Sequence, residues 1–251
     1  MKGVVLAGGL GTRLYPLTHA TNKHLLPVFN QPMIYYPIQT LVKAGIEEIL
    51  IVIGGPHAGD FIRVLKNGQD FGIKHIEYSY QETGDGGIAD ALRLAKDFAD
   101  GGPITAILGD NCTDADISKE VDKFKGGATV FLKEVPDPER FGIVEFDPKD
   151  KSKIIDIVEK PKNPKSKMAV TGVYIYDAEV FDHINKIKPS ARGQLEITDV
   201  NNRYVKEGRL NWAELNGYWS DAGTFESLYR TGVYWAKKTL SAKEEKDLTT
   251  F

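Results

Sequence analysis

Short apolar runs alternate with amphipathic stretches in the first half of this sequence, and this alternation restricts the possible folds more than any other feature. The strand-like runs lie at 2–7, 47–53, 74–80 and 104–108. Segments with helical spacing lie between them at 32–44, 58–66 and 87–98. IEEILIVIG and ITAILGD are apolar along nearly their whole length, which is typical of parallel strands covered on both faces. The sequence therefore predicts an α/β fold with a doubly wound, mostly parallel sheet and right-handed crossovers.

The second half has a different texture. After about residue 126, short strand-like runs follow one another: ATVFLKEV, GIVEFD, KIIDIVEK, AVTGVYIYD and LNWAEL. They predict a smaller, partly antiparallel region. KPKNPKSK at 160–167 is expected to be an exposed loop, because its prolines cannot join a central strand ladder. We expect one domain over 1–251, with halves at about 1–125 and 126–222 and a C-terminal helix and tail at 223–251.

Charge and cysteine content exclude several classes of protein. The net charge is −3, with 32 basic and 35 acidic residues interspersed, so no nucleic-acid-binding surface is expected. The single cysteine, Cys112, excludes an internal disulfide and a four-cysteine zinc site, as expected for a reducing cytoplasm. The sequence starts directly with a strand pattern, and no apolar run reaches the roughly 18 residues of a membrane span. These features predict a soluble cytoplasmic protein.

VVLAGGLGTRL at 4–14 places glycines and an arginine directly after the first strand. A glycine turn at this position lets backbone N–H groups approach a phosphate chain, and Arg13 supplies a countercharge. The P-loop pattern fails because no Gly-Lys-Thr or Gly-Lys-Ser follows, and the dinucleotide fingerprint fails because Leu14 replaces its third glycine. A purely structural turn is the alternative. The predicted nucleotide-binding residues here are Leu6, Gly8, Gly9, Gly11, Thr12 and Arg13.

Ordered segments along nearly the whole chain resemble the sugar-1-phosphate nucleotidylyltransferase family. They are LAGGLGTRLYPLT, NKHLLPVFNQPMIYYPI, QETGDGGIADAL, LGDN, DPERFGIVEFD, EKPKNPKS, AVTGVYIYD, KPSARGQLEITDVNN and WSDAGT. The resemblance implies a Rossmann-like nucleotidyltransferase fold, with nucleotide binding in the first half and sugar and metal binding in the second. It also implies attack by a sugar-1-phosphate oxygen on the α-phosphorus of a nucleoside triphosphate, with loss of pyrophosphate. The substrates implied are dTTP and glucose-1-phosphate, and the metal is Mg²⁺.

The same resemblance assigns five catalytic residues. Arg13 would bind the triphosphate, Lys23 would bind phosphate near the reacting centre, and Lys160 would hold the sugar phosphate. Asp110 and Asp221 would hold Mg²⁺, for which two carboxylates plus phosphates and water suffice. Without the family context, Lys160 reads as a solvated surface lysine, Asp110 as a turn residue and Asp221 as a helix cap.

Base and sugar recognition are assigned in the same way. The carboxamide of Gln81 offers a donor and an acceptor to thymine or uracil, and it could flip for cytosine. Either Gly86 or Gly87 would meet the base. Trp219 would shape the pocket or belong to the core. The predicted sugar-binding residues are Gly142, Glu159, Lys160, Val170, Thr171 and Trp219.

Several alternatives stay open at this point. The base could be uracil, or base choice could be relaxed. A non-catalytic sugar-nucleotide-binding protein would have no use for the complete set of cationic and acidic residues, and a dehydrogenase is disfavoured by Leu14. SAKEEKDLTTF at the end of the chain is polar, so we expect a short form of the family, a monomer or small homo-oligomer without a second nucleotide site.

Overall fold

The computed structural model describes residues 1–84 and 86–240. The strands are β1 (Lys2–Ala7), β2 (Pro27–Val28), β3 (Gln31–Pro32), β4 (Glu48–Gly54), β5 (His75–Gln81), β6 (Ile104–Leu108), β7 (Asn111–Thr113), β8 (Ala128–Glu134), β9 (Gly142–Phe146), β10 (Ile154–Glu159), β11 (Met168–Tyr176), β12 (Leu210–Glu214) and β13 (Trp219–Asp221). The α-helices are α1 (Tyr35–Lys43), α2 (Ala58–Leu65), α3 (Ile88–Arg93), α4 (Lys96–Ala99), α5 (Ser118–Lys123), α6 (Val180–Lys186), α7 (Ile197–Lys206) and α8 (Phe225–Thr239).

A nine-stranded sheet forms the centre of the molecule. Its strand order is β10-β9-β11-β6-β1-β4-β5, with β8 paired to β11 and β12 paired to β8. The strands β6, β1, β4 and β5 are all parallel, and Val5 of β1 lies between Ile51 and Ile107. Strand β11 pairs antiparallel with β6, β8 and β9. The predicted doubly wound sheet with a partly antiparallel second half is confirmed.

Helices cover both faces of the sheet because alternate residues of each strand point to opposite sides. Val4 and Leu6 of β1 pack in a core with α3, α4, α6 and α7. Val5 and Ala7 pack in a second core with α1 and α2. Because both faces of β1 are buried, its central residues are apolar without interruption.

Two predicted helices differ from the observed ones. The segment predicted as a helix at 87–98 divides into α3 and α4, and backbone bonds from Leu94 to Ala91 and from Ala95 to Leu92 tighten the chain between them. The helix predicted to begin at 32 begins at Tyr35, because Gln31–Pro32 pairs with Pro27–Val28.

The C-terminal helix predicted near 223–240 is observed as α8, which begins after the capping box formed by Thr224 and Ser227. The predicted polar tail at 241–251 lies outside the described residues. The division of the chain into functional halves stays a prediction. Within the part of the chain that the structure describes, no helix has both the length and the apolar character needed to cross a bilayer.

The strand order creates a crevice at one edge of the sheet. From β1 the chain builds β4 and β5 on one side and then returns to place β6 on the other. Open α/β sheets bind ligands outside the carboxyl ends of the strands at such a reversal. Gly8 follows β1 and Asp110 follows β6 at this edge.

Candidate active site

A cleft of about 500 Å³ opens at the carboxyl ends of β1, β5 and β6 and extends to β9, β10 and β11. Its wall from the first half includes most of the residues predicted to bind nucleotide. These are Leu6, Gly8, Gly9, Arg13, Gln81 and Gly87, together with Lys23 and Asp110. The wall from the second half includes Gly142, Glu159, Lys160, Val170, Trp219 and Asp221. Segments far apart in sequence thus meet in one space.

Four predicted site residues do not line this cleft: Gly11, Thr12, Gly86 and Thr171. Gly11 accepts a hydrogen bond from the Thr18 hydroxyl at 2.9 Å and shapes the turn that carries Arg13. Thr171 is fully buried, and its hydroxyl donates to the Phe131 carbonyl at 2.9 Å. Its side chain is therefore not available to a sugar.

The end of β1 requires glycine because another side chain occupies the space beside it. A Cβ on Gly8 would collide with Oε1 of Gln81, the last residue of β5. Gln81 is only 5% exposed. The glycine turn therefore brings bare backbone and a buried carboxamide to the same wall of the cleft.

The two aspartates are brought together by a short pair of strands. Asp221 ends β13 and pairs with Asn111 of β7, the residue after Asp110. Lys23 Nζ lies 2.5 Å from Asp110 Oδ2, and Arg140 Nη2 lies 3.1 Å from Asp221 Oδ2. Each acidic side chain thus has a cationic partner at the cleft wall.

The two carboxyl groups differ in their proton affinity. Burial alone would raise the pKa of Asp110, but the Lys23 ammonium and hydrogen bonds from Lys23 and Asn111 lower it to about 2. Burial, and then the charge of Asp110, raise the pKa of Asp221 to about 6 despite Arg140 and Arg13. Ionisation of Asp221 beside the ionised Asp110 is therefore costly unless a further cation binds to the site.

This donor set suits a hard divalent cation. Mg²⁺ is typically held by one or two carboxylates, with phosphates and water completing its octahedron. Asp110 and Asp221 supply carboxylate oxygens from separate segments. The pKa of Asp221 is raised by burial and by the charge of Asp110, so its anionic form would be stabilised by a bound cation. Both side chains also line the cleft.

Arg13 reaches the same region from the glycine turn. A Cβ on Gly223 would lie 2.9 Å from Arg13 Nη2 and 3.4 Å from Asp110 Oδ2. Arg13 Nη2 and Asp110 Oδ2 therefore both lie beside Gly223, and both of their charges act on Asp221. The exposed guanidinium is well placed to contact a phosphate chain entering the cleft.

His24 adds no charge beside Asp110. It is 2% exposed, and burial and the neighbouring Lys23 lower its pKa to about 3. Its Nδ1 lies 2.7 Å from Asn22 Oδ1, an acceptor, so Nδ1 carries the proton of the neutral ring.

In the second half, Glu159 ends β10 at the cleft and Lys160 follows it. Glu159 Oε2 accepts a hydrogen bond from Thr198 Oγ1 at 2.7 Å, and Arg192 Nη2 donates to Glu159 Oε1 at 3.3 Å. Lys160 adopts a left-handed backbone with φ of 46°, and its Nζ lies 3.7 Å from Glu159 Oε1. A carboxylate and two cations therefore share this end of the cleft.

Sequence reasoning missed several cleft residues. Arg140, Asn111, Arg192, Glu196 and Thr198 all line it. They lie within DPERFG, LGDN and KPSARGQLEITD, segments whose resemblance was noted without a role for these side chains. The signal available in the sequence was a charged or polar residue inside such a segment.

A second group of potential ligands lies outside the cleft. Ligand atoms of Glu179, His183 and Glu207 lie within 4.8 Å of one another. Arg203 Nε donates to His183 Nδ1 at 3.1 Å, so Nε2 carries the proton and has no lone pair for a metal. Arg209 already pairs with Glu179 at 2.6 Å. Ion pairing accounts for this group, and we assign it no metal.

The chain is similar to known proteins along most of its length. The sequence profile described as nucleotidyl transferase matches residues 2–237. A glucose-1-phosphate thymidylyltransferase of Neisseria gonorrhoeae is 44% identical over 240 residues, covering 93% of this chain and 82% of the relative. The protein of the same name from Xanthomonas campestris pv. campestris (strain B100) is 45% identical over 239 residues, covering 93% of this chain and 80% of the relative.

Solved structures give the same result. A Bacillus anthracis crystal structure assigned as a glucose-1-phosphate thymidylyltransferase, in complex with a sucrose, superposes with a TM-score of 0.88 at 48% identity and covers 96% of both chains. A UDP-glucose pyrophosphorylase complexed with UDP-glucose shares the fold, with a TM-score of 0.81 at 24% identity over 94% of this chain and 98% of its own. The family resemblance read from the sequence is confirmed. This chain belongs to the nucleotidyl transferase family.

Proposed function

We propose that this protein transfers a thymidylyl group from dTTP to glucose-1-phosphate, giving dTDP-glucose and pyrophosphate. Relatives at 44% and 45% identity over most of the chain carry the name of that activity. The observation that carries the proposal is the meeting of Arg13, Lys23, Asp110 and Asp221 beside a glycine turn at the edge of a parallel sheet. The roles given to individual residues below are part of the proposal.

On the nucleotide side, the chain supplies backbone and positive charge. Gly8 and Gly9 leave the end of β1 open to close approach by a phosphate chain. Lys23 and Arg13 bind phosphate oxygens, and the fork of Arg13 can hold two of them. Because charge builds on the β,γ-phosphates as they leave, these cations stabilise the transition state more than the ground state.

On the sugar side, Lys160 and Arg192 would bind the phosphate of glucose-1-phosphate, and Glu159 would accept hydrogen bonds from sugar hydroxyls. A phosphate oxygen of the sugar attacks the α-phosphorus, and the bond from that phosphorus to the pyrophosphate oxygen breaks. The nucleophile is already anionic, so no side chain has to remove a proton. Catalysis then depends on alignment of two polyanions and on charge neutralisation.

Asp110 and Asp221 would hold Mg²⁺. When bound, Mg²⁺ neutralises phosphate charge and orients the triphosphate. Lys23 and Arg140, the present partners of the two carboxylates, would then be released to bind phosphate oxygens. The proposal includes a cytoplasmic location, in which the buried thiol of Cys112 stays reduced.

The test is release of pyrophosphate from dTTP and glucose-1-phosphate with Mg²⁺, followed by identification of dTDP-glucose. UTP in place of dTTP measures base choice, and other sugar-1-phosphates measure sugar choice. Asp110→Asn keeps the size of the side chain but removes the charge, so turnover should fall at least 100-fold, about 3 kcal/mol of transition-state stabilisation. Absence of turnover in the unmodified protein, or near-normal turnover in this variant at limiting Mg²⁺, would contradict the proposal.

A further inference from the structure

The carboxamide of Gln81 is held in one orientation by a buried carboxylate. Gln81 Nε2 donates to Asp90 Oδ2 at 2.9 Å, and both residues are less than one-tenth exposed. Asp90 also accepts a hydrogen bond from Thr83 Oγ1 at 3.2 Å and forms an ion pair with Arg93 Nη2 at 2.7 Å. A carboxylate paired with a guanidinium can only accept hydrogen bonds, so it requires the amide nitrogen of Gln81 to face it.

The buried Asp90 carboxylate disfavours the alternative orientation of the Gln81 carboxamide. Gly86 lies over the carboxylate, where a Cβ would come within 2.7 Å of Thr83 Oγ1 and would collide with Asp90 Oδ2. If the carboxamide of Gln81 flipped, its oxygen would face the Asp90 carboxylate, and two buried acceptors would oppose each other. Opposed buried acceptors are strongly unfavourable, so the flipped state is suppressed.

The fixed orientation determines what Gln81 offers to a ligand. Its Oε1 lies against Gly8, at the cleft wall, and one N–H of Nε2 is used by Asp90. An acceptor and a single remaining N–H donor are therefore presented. Thymine and uracil complement this pair with N3–H and a carbonyl oxygen, whereas cytosine presents an acceptor at N3.

We propose that Asp90 is a positioning residue that makes the base site select pyrimidines with an N3–H donor and reject cytosine, by preventing the carboxamide of Gln81 from flipping. This inference rests on the proposed function, since it assumes that the base of the triphosphate meets Gln81. Asp90 itself contacts Gln81 and not the base. A site built around a fixed acceptor discriminates against an opposed acceptor because a buried polar group is left unpaired.

The experiment measures equilibrium binding of dTTP and dCTP to the full chain by calorimetry, with Mg²⁺ and without sugar phosphate. The unmodified protein should bind dTTP about 10- to 100-fold more tightly than dCTP. Asp90→Asn provides a side chain that can either accept or donate, so the carboxamide of Gln81 can flip. The ratio of the two affinities should then fall about tenfold, mainly through tighter dCTP binding.

Thr83→Val is the matched control. It removes another hydrogen bond to Asp90 but leaves the carboxylate, so the ratio should stay as in the unmodified protein. Asp90→Ser, whose hydroxyl also donates or accepts, repeats the test if Asp90→Asn lowers the melting temperature too far for binding measurements.

Two outcomes would overturn the proposal. The first is equal weakening of dTTP and dCTP binding in the Asp90 variants, which would indicate a packing role. The second is an unmodified protein that binds the two nucleotides equally well or binds neither. Pyrophosphate release by the unmodified protein separates this result from the proposed function. If the unmodified protein binds dTTP selectively, loses this selectivity in Asp90→Asn and shows no turnover on glucose-1-phosphate, the proposed reaction is refuted and the role of Asp90 is supported. If the unmodified protein turns over normally and Asp90→Asn leaves the ratio of dTTP to dCTP affinity unchanged, the reaction is supported and the role of Asp90 is refuted.

Discussion

The Asp221 carboxylate, which we propose holds Mg²⁺, is costly to the fold. Its pKa is raised from 3.8 to about 6 by burial and by the charge of Asp110. Between these two values the folded state holds the proton more tightly than the unfolded chain does, so the free energy of unfolding decreases as pH rises through this window. Above pH 6 the whole penalty is present, and below pH 4 it is absent.

We therefore expect Asp221→Asn to raise the melting temperature in EDTA at pH 7.5 while abolishing most turnover. The shift of about two pKa units, which already includes the opposing effect of Arg140, sets an upper limit of about 3 kcal/mol, and partial exposure reduces the expected gain to about 1–2 kcal/mol. Arg140 keeps Asp137 as a partner at 2.6 Å, so the substitution leaves no unpaired guanidinium. Thermal unfolding at several pH values measures the gain.

The gain should shrink as pH falls from 6 towards 4. Asp122→Asn, an exposed change on α5, serves as the control for the loss of one negative charge. Added Mg²⁺ should stabilise the unmodified protein and not Asp221→Asn. A destabilised Asp221→Asn variant at pH 7.5 would show that the carboxylate contributes more through its contacts than it costs through burial.

At the level of single residues, the sequence predicted the charged groups better than their partners. The cleft includes Arg13, Lys23 and Asp110, as expected from motifs that place charge next to glycine turns and strand ends. Arg140 and Asp90 were missed because each acts through a contact with a residue distant along the chain or across a loop. Such pairings depend on the fold and have no fixed spacing in sequence.

Between elements, Asn111 joins three segments that build the acidic end of the cleft. Its Oδ1 accepts hydrogen bonds from the Gly172 N–H at 2.9 Å and from Trp219 Nε1 at 2.7 Å. Its Nδ2 donates to Asp110 Oδ1 at 2.9 Å. Asn111 is 1% exposed, so these contacts are shielded from solvent.

Asn111→Ala should lower the free energy of unfolding by about 2–4 kcal/mol, because each buried donor left unpaired costs about 1–3 kcal/mol. Urea unfolding followed by tryptophan fluorescence measures this, since Trp219 reports on the same contact. Asn216→Ala, an exposed change in the loop between β12 and β13, serves as the control and should be within about 0.5 kcal/mol of the unmodified protein. A loss below 1 kcal/mol for Asn111→Ala would show that the three segments do not depend on it.

Element types were predictable because the strands of a doubly covered sheet are apolar on both faces and α8 carries its own cap. The boundaries of the elements were less predictable from the sequence. The break between α3 and α4 depends on local i to i+3 bonds, and the start of α1 depends on the pairing of Gln31–Pro32 with Pro27–Val28. The break between α3 and α4 has no turn residue in the sequence, and the Asn30 and Pro32 signals before α1 do not by themselves show that this segment forms a short strand pair.

Across the whole molecule, the cleft has cationic groups at two places supplied by different halves of the sheet. Arg13 comes from the turn after β1, in the parallel half. Lys160 follows β10, in the antiparallel half, beside Glu159 and Arg192. If the nucleotide lies against the first half and the sugar phosphate against the second, these two side chains serve different substrates.

Arg13→Ala should therefore lower kcat and also raise the KM for dTTP, and that for pyrophosphate in the reverse reaction, about 10- to 100-fold, because a charged hydrogen bond contributes about 1.5–3 kcal/mol. Its KM for glucose-1-phosphate should change little. Lys160→Ala should do the opposite, raising the KM for glucose-1-phosphate and leaving that for dTTP nearly unchanged. Initial rates with one substrate varied at saturating concentrations of the other separate the two effects.

Lys162→Ala is the control for this prediction. It removes an exposed lysine from the same loop outside the cleft, so it should leave the KM for dTTP and the KM for glucose-1-phosphate unchanged. Equal losses for both substrates in both variants would show that the two cations act on one shared phosphate group and that the halves of the sheet do not divide the substrates between them.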